Sequence, residues 1–76
     1  MNANHTEMHA DFARALIAAH GGNTKFRKKL GIADEPGSKT RVDNWQKRGI
    51  PLPVQLLKRR ELARLVRSAR ARGAVL

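Results

Sequence analysis

The sequence predicts an all-α domain of about four helices that ends in a long C-terminal helix. Three observations carry this expectation. Apolar residues recur three and four apart along most of the chain, the spacing that lines one face of a helix. No segment alternates apolar and polar residues with the period of two that a half-buried strand requires. Glycine and proline punctuate the chain around positions 21–22, 31–37 and 49–53, leaving helix-length segments between them.

The first segment reads as a helix from about Thr6 to His20, with Met8, Phe12, Leu16 and Ala19 on one face and Ala15 beside them. Thr6 is placed to cap its start, and Glu7 and Asp11 sit near the positive end of the helix dipole. Gly21-Gly22 ends it. Asn23-Thr24 restarts a helix whose inner face is Phe26 and Leu30, four apart, and Gly31 stops it after about two turns. Ala33-Asp34-Glu35-Pro36-Gly37 is a turn cluster. Ser38 is a suitable N-cap for a third helix, Lys39 to about Lys47, with Val42 and Trp45 facing inward. The two prolines of Arg48-Gly49-Ile50-Pro51-Leu52-Pro53 hold the chain extended before the last helix, from Pro53 to about Arg72. Val54, Leu57, Leu62, Leu65, Val66 and Ala69 fall on its apolar side, and six Lys and Arg residues crowd the remainder. Residues 1–76 read as one domain, with 1–5 and 73–76 frayed.

Composition narrows the function classes. A chain of 76 residues buries only about 60% of its unfolded surface, so its core has to be simple. The absence of cysteine excludes disulfide staples, thiolate metal sites and a cysteine nucleophile, and fits a reducing cytoplasm. Nothing approaches the roughly 20 apolar residues of a membrane span, and the first residues lack the pattern of a signal peptide. The net charge is +10, with a pI near 11.7. It is unevenly placed: residues 1–22 carry −1, residues 23–49 carry +5 and residues 50–76 carry +6. Such a field favours nucleic acid or an acidic surface as partner and opposes self-association unless buried area offsets it, and the partner-facing part begins after residue 22.

A short helix, a glycine-containing turn and a second helix with polar outward residues make a helix-turn-helix pattern. Phe26 and Leu30 on one helix and Val42 and Trp45 on the next fix the pair against the rest of the domain. The other side of the 39–47 helix is then free to enter a major groove. Lys39, Thr40, Arg41, Asp43 and Asn44 supply donors and acceptors suited to base edges.

Gly21-Gly22-Asn23-Thr24 and Leu30-Gly31-Ile32 resemble the Gly-Gly-x-Thr…Leu-Gly-Ile opening of Cro and CI-type phage repressors and YdaS-like regulators. Ser38 to Pro51 is similar to that family's recognition-helix stretch, S-x-x-x-V-x-x-W-x-x-R-G-x-P, with Val42, Trp45, Arg48, Gly49 and Pro51 at matching offsets. The resemblance covers about residues 10–60. It implies sequence-specific binding of double-stranded DNA, by a homodimer, to repress transcription. It also implies that Lys39, Thr40 and Asn44, then Arg41 and Asp43, meet base edges. Asn23 and Thr24, at a helix N-terminus, match the family's phosphate-contacting position. Lys25, Lys28, Lys47 and Arg48 add sequence-independent attraction. The chain departs from the family twice: Ala33–Gly37 enlarges the turn by five residues, and Arg27 stands where a small residue is usual. An enlarged turn relieves the crowding that Arg27 brings.

Competing readings are weaker. Trp45 beside Val42 belongs to the core rather than to base stacking, because the chain has three aromatic residues in all. His5 and His9 are four apart, but their order is not H-E-x-x-H and no third ligand is evident, so neither metal nor cofactor is expected. Ser38 and the histidines have no acid, base and oxyanion set around them, so neither an enzyme nor a small-molecule substrate is expected. The last helix lacks the aromatic anchors of a membrane-surface helix. Leu57 is expected to cover the helix-turn-helix, leaving Leu62, Leu65, Val66 and Ala69 for a homodimer interface. The leading expectation is a homodimeric, Cro-like repressor from a phage or mobile element, acting in the bacterial cytoplasm at the nucleoid. An antitoxin-type regulator that also binds a toxin is the alternative. An RNA-binding domain is a third reading, disfavoured by the scarcity of stacking aromatics.

Overall fold

In the computed structural model, residues 8–76 are described. They form α1 (Ala10–Ala19), α2 (Asn23–Leu30), α3 (Ser38–Arg48), α4 (Leu52–Leu57) and α5 (Arg59–Ala71), with no strand among the described residues. The architecture is all-helical, as the apolar spacing predicts, with five helices rather than four among the described residues.

α1 starts later than its pattern suggests. Its N-cap is His9, whose ring Nδ1 accepts the Phe12 N–H at 3.4 Å. The proposed Thr6 cap and Glu7 lie outside the described residues; Asp11 does occupy the first turn. The buried stripe of α1 is Ala13, Leu16 and Ile17, continued by His20, while Met8, Phe12 and Ala19 are partly buried at its edge. α2 buries Phe26 and Leu30, and α3 buries Val42 and Trp45, both as the spacing predicts. Trp45 is therefore a core residue.

Ser38 is not the cap of α3. Gly37 takes that place at φ +92°, and Ser38 is the first helical residue. Its buried hydroxyl donates to the Ala33 carbonyl at 2.7 Å and accepts the Glu35 N–H at 3.3 Å. The enlarged turn folds back on itself, and this hydroxyl satisfies backbone groups that the fold-back takes from water.

At the far end of α3, the Ile50 N–H donates to the Met8 carbonyl at 2.7 Å, fastening the chain that leaves α3 to the chain that enters α1. Gly49 makes this approach possible. Its φ is +96°, and a Cβ there would lie 2.7 Å from the Met8 carbonyl oxygen and 2.9 Å from the His9 Cα.

The expected single helix from Pro53 to Arg72 breaks at Lys58, between α4 and α5. The apolar pattern contains the reason. Leu57 and Leu62 are five residues apart, which on one straight helix turns them about 140° from each other. The chain resolves the conflict in favour of Leu62. Leu57 is 79% exposed and does not cover the helix-turn-helix, and α4 buries no residue.

The expected dimer stripe also has to be corrected. Leu62, Leu65 and Ala69 are 1%, 4% and 0% exposed, and Val66 is partly buried against them. α5 packs on α1, α2 and α4, and these side chains close the domain's own core together with Ile50. A core of this size has no apolar residues to spare for a partner along that stripe. At the C-terminal end the Ala74 N–H donates to the Ala69 carbonyl at 3.0 Å, and Ala74 and Leu76 pack on the core.

Candidate nucleic-acid interface

α3 has one face in the core and one in solvent. Ser38, Val42 and Trp45 hold the inner side, while Lys39, Thr40, Arg41, Asn44, Lys47 and Arg48 are exposed. Thr40, Asn44 and Lys47 follow one another at spacings of four and three, so they form a single stripe, with Arg41 and Arg48 beside it. α1 supports the back of this helix, and Arg14 Nη1 donates to the Gln46 carbonyl at 2.7 Å. The same guanidinium pairs with Asp11 through Nη2. Lys25 and Lys28 add exposed charge on α2. Lys25, Lys28, Lys47 and Arg48 form no ion pair among the described residues.

Three residues expected at this surface are committed elsewhere. Asp43 is half-buried, and its carboxylate accepts from Asn23 Nδ2 at 2.7 Å and from Lys39 Nζ at 3.2 Å. The Asn23 hydrogen bond, then the Lys39 hydrogen bond and charge, hold the Asp43 carboxyl below the usual carboxylate value. Asp43 is thus a tether between α2 and α3 rather than an open acceptor for a base. Asn23 spends its other donor on the Lys39 carbonyl at 3.0 Å, and its Oδ1 accepts from Arg27 Nε at 2.7 Å. Thr24 Oγ1 accepts from Arg27 Nη2 at 3.4 Å. What Asn23 and Thr24 can still offer an anion is their backbone N–H groups, in the first turn of α2, where no intrahelical acceptor exists.

This inward commitment carries a gain. Lys39 is exposed and Asp43 only half-buried, so their pair contributes little stability. The one carboxylate on α3 is thereby answered locally, and the outward side of the helix stays positive.

Arg27 is buried, so it is not part of the basic surface that Lys25 and Lys28 present. Its Nη1 reaches Asp34, in the enlarged turn, at 3.1 Å. The two departures from the family pattern therefore meet: the larger residue on α2 binds the added turn. The sequence held a signal for this, a lone Arg on the inner side of α2 followed by an acidic turn, but seven residues separate the partners.

His20 is a second residue that the sequence pattern could have flagged. It extends the stripe of Ala13, Leu16 and Ile17 by one turn and is buried, with its Nε2 2.8 Å from the Leu65 carbonyl oxygen. Among the described residues, no group of three or more His, Cys, Asp or Glu side chains is gathered to hold a metal, and no helix is long and apolar enough to cross a membrane. Comparison of the chain with family models, with curated proteins and with solved structures finds no match.

Proposed function

We propose that this protein is a sequence-specific regulator of transcription that inserts α3 into the major groove of double-stranded DNA. The observation that carries the proposal is the composition of α3's solvent face. Lys39, Thr40, Arg41 and Asn44 stand exposed on a helix whose opposite side is fixed in the core, while its only carboxylate is turned toward α2. Lys and Arg donate to guanine, and Asn pairs in two places with adenine. Lys25, Lys28, Lys47 and Arg48, with the first-turn N–H groups of α2, hold the phosphates on either side. The likeness to Cro and CI-type repressors supports the same docking. Repression by a phage or mobile-element protein in the bacterial cytoplasm is the biological reading.

The regulator acts as a homodimer, because one α3 offers few base contacts and a second copy about one helical turn (~34 Å) along the duplex supplies the rest. The surface available for pairing is not the α5 core stripe. It is the open surface where Leu52 and Leu56 of α4 stand exposed beside Met8, Gln55, Arg59 and Ala63. Burial of these leucines offsets the repulsion between two basic chains.

Selection of bound sequences from a random duplex pool tests the proposal. Enrichment of a two-fold-symmetric site is expected. Recovery of no sequence above the random background would overturn it.

A further inference from the structure

A cationic cluster lies on α1, α2 and α5, outside the surface assigned to DNA bases. At its centre is the buried His20. With its Nε2 N–H donated to the Leu65 carbonyl at 2.8 Å, the ring has a single lone pair left, on Nδ1. Two cations converge on that lone pair: Lys29 Nζ at 3.2 Å and Arg72 Nη2 at 3.1 Å. Their charged heads are therefore no more than about 6 Å apart, with no carboxylate between them. None of Lys29, Arg64 and Arg72 enters an ion pair among the described residues, and Glu61, the one acidic residue of α5, pairs with none of them.

Beside this cluster is an open cleft of about 290 Å³, lined by His20, Lys29, Arg64, Leu65 and Ser68. The donors that remain are numerous. One lone pair cannot satisfy two cations fully, so the Lys29 ammonium and the Arg72 guanidinium both keep unused N–H groups. Arg64 makes no hydrogen bond to the fold among the described residues, and Ser68 adds a hydroxyl. Arg72 also donates to the Ala19 carbonyl at 3.0 Å, which answers the negative end of α1 and leaves the cleft positive.

We infer that the cleft lined by His20, Lys29, Arg64 and Ser68, with Arg72 held on the His20 ring, binds a phosphoryl group. Two lining cations and a hydroxyl, with the Arg72 charge close by on the His20 ring, suit a tetrahedral, multiply charged anion with several acceptor oxygens better than a planar carboxylate with one charge. The His20 ring holds Lys29 and Arg72 in place before the anion arrives, so little order is lost on binding. The phosphoryl group belongs either to a free phosphate monoester or to a DNA backbone wrapping past α3. The inference stands apart from the α3 reading, since none of these residues is assigned there.

The test is a titration of the full chain with inorganic phosphate, at ionic strength held constant with chloride, followed by 15N–1H NMR. Saturable shifts at His20, Lys29, Arg64 and Arg72 are expected, with none from acetate. Arg64→Gln should weaken phosphate binding by roughly tenfold, the value of one charge-assisted contact, while Arg70→Gln, on an exposed side chain outside the cleft, should change it less than about twofold. Lys29→Gln should weaken it similarly, and Arg64→Gln removes no contact of the fold, so a folding defect cannot imitate the result. Displacement of phosphate by a duplex assigns the site to DNA backbone, and persistence of phosphate on the DNA-bound protein assigns it to a free ligand. Shifts no larger than those of chloride, or equal binding by the Arg64→Gln and Arg70→Gln variants, would overturn the inference.

Discussion

Arg27 Nη1 lies 3.1 Å from the Asp34 carboxylate, and this contact joins the core side of α2 to the enlarged turn that leads into α3. Arg27 is the buried member and Asp34 the solvated one, at 8% and 91% side-chain exposure. The same guanidinium reaches Asn23, which in turn holds Asp43. A chain of polar contacts thus runs from the turn, through α2, to the side of α3, and sets how α3 stands on the domain.

Loss of Arg27 should therefore cost more than loss of its partner. Arg27→Met is expected to lower stability by about 1–3 kcal/mol, since Asn23 and Thr24 lose a charged donor in a partly buried setting. Asp34→Asn should cost less than about 1 kcal/mol, because water already solvates that carboxylate. Urea unfolding of both variants checks the order.

Gly49→Ala should destabilise by at least about 2 kcal/mol, from the left-handed backbone and the close approach of another strand of chain. Gly37→Ala, with the same sign of φ but nothing within 4 Å of the added carbon, should cost less. Thermal unfolding of the pair separates steric contact from backbone conformation.

Asp43 gives a pH dependence of known sign. Its carboxyl is held below the usual value in the folded state, chiefly by the Asn23 hydrogen bond and then by Lys39. Its contribution to stability is therefore complete above the ordinary carboxylate value and is lost as pH falls through the lower folded value. In Asn23→Ala, 13C NMR should find the Asp43 titration moved up toward the ordinary value.

Leu65 and Leu56 should respond oppositely to the same change. Leu65→Glu places a charge in the core and is expected to unfold the domain, whereas Leu56→Glu should leave a folded monomer. Circular dichroism and sedimentation together read both outcomes. A Leu56→Glu variant that still forms dimers would place the pairing surface elsewhere.

These contrasts mark what the sequence made legible. The helical period located α2 and α3, and the Val42–Trp45 spacing assigned α3's inner side, hence its outer side as well. Amphipathicity told that Leu62, Leu65 and Ala69 are buried, but not against what, and their partners on α1 and α2 lie more than thirty residues away. The break at Lys58 was written in the five-residue step from Leu57 to Leu62. Asp43 and Asn23 look like surface polar residues from spacing alone. Only the approach of α2 to α3 turns them toward each other.

DNA affinity should depend steeply on salt. About six phosphate contacts imply a log–log slope of about −5, and a binding titration between 50 and 200 mM salt, roughly the range over which counterion release is read, measures it.

The measurement that bears most directly on α3 as the reading element compares variants on a selected duplex and on random DNA. Asn44→Ala and Lys39→Ala should lose about 1–3 kcal/mol on the selected site and little on random DNA. Lys47→Ala should weaken both about equally. If Asn44→Ala and Lys39→Ala also lose equally on both duplexes, α3 does not read bases, and the proposed docking is contradicted.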